Sequence, residues 1–232
     1  MGHSTGTGQN SESMKVKYLI MDYDGTLSEG NGIDGELFGL MKRVRLSGTK
    51  IIVATGRPKS SLPQLNQLRE VTDALVMEEG GIVLIKNEEF IRSNEKWQTY
   101  ISSLPQGLTY ASGEVLLITD EHSLEPLTKR ASEMGVEFEL QPYKSWYFLT
   151  PKGVNKLSSV IYTINRMGED GPTMFVGDEL NDLKLIQWAD CSIAVGNANE
   201  KVKRESDVVL NGNDGEGIKE LLRSLLSDSF RC

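Results

Sequence analysis

Short apolar runs, each the length of a single strand, recur along this chain between segments of helical period, and that alternation narrows the fold more than any other feature. The runs are Val16 to Asp22, Lys50 to Thr55, Ala74 to Met77, Thr173 to Gly177, Ser192 to Val195 and Asp207 to Leu210. Between them Leu37, Leu40, Met41 and Val44 fall at i, i+3, i+4 and i+7, as do Leu157, Val160, Ile161 and Ile164, and again Ile218, Leu221, Leu222 and Leu225. That spacing gives a helix one buried stripe with which to pack on a sheet. Strand and helix in turn predict an α/β core built on a parallel sheet.

The middle of the chain reads differently. After Glu78-Glu79-Gly80-Gly81 come Ile82 to Ile85, a turn at Asn87, and Glu89 to Ile91, the pattern of a hairpin. Farther on, Val115 to Thr119 is apolar, Val136 to Leu140 alternates, and Trp146 to Leu149 follows a turn near Tyr143-Lys144. Clean alternation buries one face and wets the other, as antiparallel sheets allow. The expected division is therefore a tail or tag at 1–13, a core formed by 14–81 and 151–232, and a small α+β insert at 82–150.

Composition removes several function classes. A length of 232 residues with 38% hydrophobic content permits a real core. No apolar run approaches the ~18 residues of a membrane span. The net charge of −8 argues against a general nucleic-acid binder, which needs basic surface to displace phosphate counterions. The two cysteines, Cys191 and Cys232, form no disulfide framework in this reading, which suits a cytoplasmic protein. Met1 to Ser13 is polar and rich in Gly and Ser, without the apolar stretch of a secretion signal.

Four places carry chemistry. Asp22-Tyr23-Asp24-Gly25-Thr26 sets two acids at i and i+2, on one face of a strand end. A carboxylate is ionised at neutral pH and can attack phosphorus without an activating base, so Asp22 is a candidate nucleophile. Asp24 is then placed to protonate the leaving oxygen and activate water. Acids this close repel unless a hard, oxygen-seeking cation such as Mg²⁺ intervenes. A calcium loop counted from Asp22 fails, because Leu27 and Ile33 stand where its Gly and Glu belong. Taken alone, the motif also fits an ordinary turn.

The second place is Thr55-Gly56-Arg57-Pro58, where a hydroxyl and the N–H groups of a helix start are suited to a phosphate. At the third, Lys156 opens an amphipathic segment after the insert, with Lys152 as its competitor; a cation there can offset phosphate charge. The fourth is Gly177-Asp178-Glu179-Leu180-Asn181-Asp182, with acids four residues apart at another strand end. In open α/β sheets ligands sit at the carboxyl ends of the strands, where all four segments converge.

Together the four resemble the ordered motifs of the haloacid dehalogenase superfamily of phosphohydrolases, from about Lys15 to the end of the chain. The resemblance implies a doubly wound, Rossmann-like core with a small inserted cap of the C2 type (subclass IIB), and it is nearest to the archaeal-type phosphoglycolate phosphatases. It also implies an aspartyl-phosphate on Asp22 and general acid–base work by Asp24. Substrate would be bound by Thr55, Gly56, Arg57, Lys156 and Asn181, and Mg²⁺ by Asp22, Asp24, Asp178 and Asp182. The expected substrate is a small phosphorylated metabolite, phosphoglycolate ahead of a sugar phosphate, and the expected oligomeric state is monomer or homodimer. A phosphomutase would need cap cations for a second phosphate, with Lys86, Arg92, Lys96, Lys129, Arg130 and Lys144 available. Relatives commonly carry Asn at the second position of Glu78-Glu79, a departure that bears on substrate. Trp146 and Tyr147 are candidate cavity aromatics.

Overall fold

The computed structural model describes residues 15–28 and 32–232, so the expected tail at 1–13 lies outside the described residues. In chain order the elements of the first half are β1 (Tyr18–Asp22), α1 (Gly35–Leu46), β2 (Lys50–Ala54), α2 (Leu65–Val71), β3 (Ala74–Met77), β4 (Ile82–Ile85), β5 (Glu88–Ile91), α3 (Glu95–Ser102), β6 (Tyr110–Ser112) and β7 (Leu117–Thr119). There follow α4 (Glu121–Glu133), β8 (Phe138–Tyr143), β9 (Trp146–Pro151), α5 (Lys156–Met167), β10 (Thr173–Gly177), α6 (Leu183–Trp188), β11 (Cys191–Ala194), α7 (Glu200–Glu205), β12 (Val208–Val209) and α8 (Asp214–Leu226).

The main sheet runs β12-β11-β10-β1-β2-β3-β4-β5. Its six strands from β12 to β3 are parallel, whereas β3, β4 and β5 pair antiparallel. Every residue of β1, β3, β10 and β11 is buried, as a sheet covered by helices on both faces requires. From β1 the chain winds one way to β3 and later returns on the other side of β1 as β10. Strand order thus reverses between β1 and β10, and a crevice opens at their carboxyl ends.

One expected boundary needs correction. The hairpin of β4 and β5, placed by its sequence in the insert, belongs to the main sheet, with Ala74 opposite Ile85 and Met77 opposite Ile82. Ile82, Val83 and Leu84 are all buried. A run apolar on both faces is a core strand, and the hairpin turn only sets its direction.

The second sheet, β6-β7-β9-β8, is antiparallel throughout and is backed by α3 and α4. Trp97 and Tyr100 of α3 and Leu127 and Ala131 of α4 are fully buried there. The Trp97 indole N–H donates to Val115 O at 2.7 Å, and the Tyr100 hydroxyl donates to Leu127 O at 3.0 Å.

The cysteine reading also changes. Cys191 and Cys232 form a disulfide, with Cα atoms 6.0 Å apart, within bridging range. The last residues return past α8 to the start of β11, a proximity that a 41-residue separation conceals. Among the described residues no helix is long and apolar enough to cross a membrane.

Candidate active site

Each motif emerges where a strand of the main sheet ends. β1 delivers Asp22, which is 4% exposed, and the chain then turns back on itself through Leu27 and Ser28 N–H groups donating to Tyr23 O. That turn puts Gly25 against Asp178, where a Cβ would lie 2.2 Å from Asp178 Oδ2. The Thr26 hydroxyl donates to Asp178 Oδ1 at 3.2 Å. β10 delivers Asp178 itself and then a tight helical turn at Leu180–Asp182. Asp182 Oδ2 accepts the backbone N–H of Asp178 at 3.2 Å. Asp22, Asp178 and Asp182 consequently offer carboxylate oxygens within 4.8 Å of one another.

Lys156 enters from α5. Asn155 caps that helix, its side chain accepting Ser158 N–H at 2.9 Å while Ser158 Oγ accepts Asn155 N–H at 3.1 Å. Lys156, the first helical residue, is 3% exposed. Its ammonium meets Asp22 Oδ1 at 2.6 Å and Asp182 Oδ1 at 3.0 Å, with Glu79 Oε1 at 3.9 Å. The competing Lys152 is exposed and paired with Glu137.

The electrostatics follow from one ammonium among several acids. Burial, aided by the charges of Asp182 and Asp178, pushes the Asp22 carboxyl well above its usual range, against the pull of Lys156. Burial and the Asp182 charge push Asp178 up to about 7. Burial works against the Lys156 ammonium, yet Asp182, Asp22 and Glu79 together hold its pKa well above normal. Three carboxylates so close, all offering oxygen, could hold a hard divalent cation. The missing Cβ at Gly25 leaves Asp178 room to join them.

Asp24 lines the cavity beside Arg57. Its two oxygens are held by Arg57, with Nη2 to Oδ1 at 2.6 Å and Nε to Oδ2 at 2.8 Å, and its side chain stands outside the acid cluster. Arg57, expected to bind substrate, lines the same cavity while it pairs with Asp24. β1 ends at Asp22, which is buried, so Asp24 falls in the turn beyond the strand and stands at the rim beside the loop after β2. Thr55 is buried, its hydroxyl accepting Arg57 N–H at 3.1 Å. Gly56 lines the cavity, where a Cβ would lie 2.6 Å from Glu79 Oε1. Asn181 Nδ2 donates to Glu79 Oε1 at 3.2 Å.

A cavity of about 150 Å³ lies over Asp22 and Lys156. From the second sheet Ile118, Tyr143 and Phe148 close it, the two rings stacked at 5.0 Å. Trp146 and Tyr147 do not line it. Along β9 alternate residues share a face, so Trp146 points the same way as Phe148 but stands beyond the cavity at the exposed turn. Tyr147, on the opposite face, is partly buried and packs against the core. Glu79, the missed member, is 2% exposed and has Oε2 unpaired. Its signal in the sequence was an acid pair directly after a fully apolar strand, at the same edge as the other motifs.

The family model for haloacid dehalogenase-like hydrolases matches residues 19–123 and 108–222. The chain belongs to that family. A phosphoglycolate phosphatase from Sulfurisphaera tokodaii is 27% identical over 90% of this chain and 94% of its own length. A solved Thermoplasma acidophilum protein superposes with a TM-score of 0.72 at 18% identity, covering 90% of this chain and 98% of its own. The sugar phosphatase BT4131 of HAD subclass IIB superposes at 0.67 with 19% identity, over 90% and 98%. Both structures share this chain's fold over nine-tenths of its length.

Proposed function

We propose that this haloacid dehalogenase-like phosphatase is a Mg²⁺-dependent phosphomonoesterase that hydrolyses a small phosphorylated metabolite through an aspartyl-phosphate on Asp22. The observation that carries the reading is the buried meeting of Asp22 with Lys156 at 2.6 Å inside the acid cluster. An Asp22 oxygen attacks phosphorus as the ester P–O bond breaks, and Asp24 gives its proton to the departing oxygen. Water then attacks the same phosphorus and yields its proton to Asp24, releasing phosphate and restoring the carboxylate. Lys156 offsets charge on the nucleophile and on the phosphoryl oxygens. Asp22, Asp178 and Asp182 would hold Mg²⁺, which supplies the remaining positive charge when bound. Arg57 keeps Asp24 at the rim until a leaving group arrives.

Phosphoglycolate is the favoured substrate, supported by the names of relatives along most of the chain and by a cavity of about 150 Å³, small for a sugar. A sugar phosphate is the alternative, carried by the name of a structural neighbour. Against a phosphomutase, none of Lys86, Arg92, Lys96, Lys129, Arg130 and Lys144 lines the cavity. Neither nucleic acid nor membrane enters this reading, and the enzyme acts as monomer or homodimer.

The test is phosphate release from phosphoglycolate and a set of sugar phosphates, with Mg²⁺ or with chelator, by the wild type and Asp22→Asn. Turnover is expected only in the wild type with Mg²⁺, fastest on phosphoglycolate. Undiminished activity in Asp22→Asn would remove the nucleophile.

A further inference from the structure

Glu78 and Glu79 stand side by side where β3 leaves the sheet, both with positive φ, 54° and 53°, a conformation uncommon for any residue with a Cβ. Their carboxylates part. Glu79 lines the cavity beside Lys156. Glu78 reaches the other way, into the connection that leads to β7. Its Oε1 accepts the N–H of Glu114 at 3.1 Å, and its Oε2 accepts those of Val115 and Leu116 at 2.8 and 2.9 Å. Successive amides converging on one anion form a nest, and hydrogen bonds to an ionised acceptor are roughly twice as strong as neutral ones.

The joint is closely built. Glu78 is 1% exposed. A Cβ at Gly113 would lie 2.3 Å from Glu78 Oε1, and one at Gly81 would lie 2.6 Å from Val115 Cβ. The Trp97 indole covers the same turn by its bond to Val115 O. Glu78 N–H also donates to Arg57 O at 3.1 Å, so one residue ties the loop that holds Asp24 to the second sheet. Two residues past Leu116 is Ile118, which lines the cavity and pairs in register with Phe148 of β9.

We propose that Glu78 is a positioning residue that sets the substrate size limit: by clamping the amides of residues 114–116 to the core, it holds Ile118 and Phe148 at a height that admits only a short leaving group. This rests on the phosphomonoesterase reading above. Glu78 touches neither the acid cluster nor Lys156, so its effect is on the cavity roof rather than on the phosphoryl chemistry.

The experiment compares wild type, Glu78→Gln and Glu78→Gly in steady-state kinetics on phosphoglycolate and a hexose 6-phosphate, alongside amide hydrogen exchange. Gln keeps the shape but turns an NH₂ toward N–H groups, and Gly removes the clamp while relieving the positive φ. Expected is a rise in KM for phosphoglycolate of about tenfold or more, the scale of one lost charge-assisted bond, with kcat nearly kept. The selectivity ratio should move toward the hexose ester, and exchange at residues 114–118 should quicken in both variants. Parallel loss of kcat/KM for both esters would overturn the size role. Unchanged exchange at residues 114–116 in Glu78→Gln would overturn the clamp itself. A wild type that hydrolyses neither ester overturns the substrate reading and the size role with it, while exchange still decides whether the clamp exists.

Discussion

At Gly25 the chain turns with φ of 79°, and the space a side chain would take is occupied by the Asp178 carboxylate. Both facts demand glycine, one through backbone sterics and the other through contact. Gly25→Ala is therefore expected to lose roughly 1–3 kcal/mol of stability and to raise the Mg²⁺ concentration needed for half-maximal activity, read by urea denaturation and a Mg²⁺ titration. A variant equal to wild type in both would show that the acid cluster does not depend on this approach. Asp22, Thr55, Lys156 and Asp178 were legible only as a set: each follows an apolar run or opens a helical stripe, but taken singly the Asp22 motif also fits a turn and Lys156 competes with Lys152. Glu79 was legible only as an odd acid, since its role depends on Lys156, which lies 77 residues further on and meets it only in space. The pairing of Arg57 with Asp24 likewise spans two strands and leaves no local mark.

Among the elements, α5 governs the site most directly, because its capping box fixes the residue that begins it. Asn155→Ala should cost about 1 kcal/mol and lower kcat as the Lys156 ammonium loses its set position. Chemical denaturation and initial rates measure the two effects, and a loss of stability with kcat untouched would mean that Lys156 is held by its ion pairs alone. The parallel strands and α1, α5 and α8 were readable from period and run length. The helices α3 and α4 were not. α3 has only 8 residues, both are polar outside a few residues such as Trp97, Tyr100 and Leu127, and α4 carries Pro126 inside it, a residue that normally argues against a helix interior. The β4 and β5 hairpin was readable as a hairpin, but which sheet it joins depends on partners that local pattern does not name.

For the whole molecule, the acid cluster links folding to pH. Burial, and then the Asp182 charge, pushes the Asp178 carboxyl from its ordinary 3.8 up to about 7 in the folded chain. The folded chain therefore keeps a proton that the unfolded chain has released, and this group's contribution to stability falls as pH rises from 3.8 toward about 7. A divalent cation that neutralises the cluster competes with that proton. Mg²⁺ should then raise the Tm more at about pH 8 than at about pH 5, measured by thermal melting with and without the ion. Equal shifts at both would count against these acids as the metal site.

By itself the sequence determined the alternation of strand and helix, hence the α/β core, and the types of group at each strand end, because hydrophobic period and local turn chemistry act over a few residues. Tertiary structure alone decided which acids come together and that Arg57 takes Asp24. It also decided that Glu78 clasps the second sheet and that Cys191 finds Cys232. Those are contacts between distant segments, and their energies depend on distance and burial that exist only once the chain has folded.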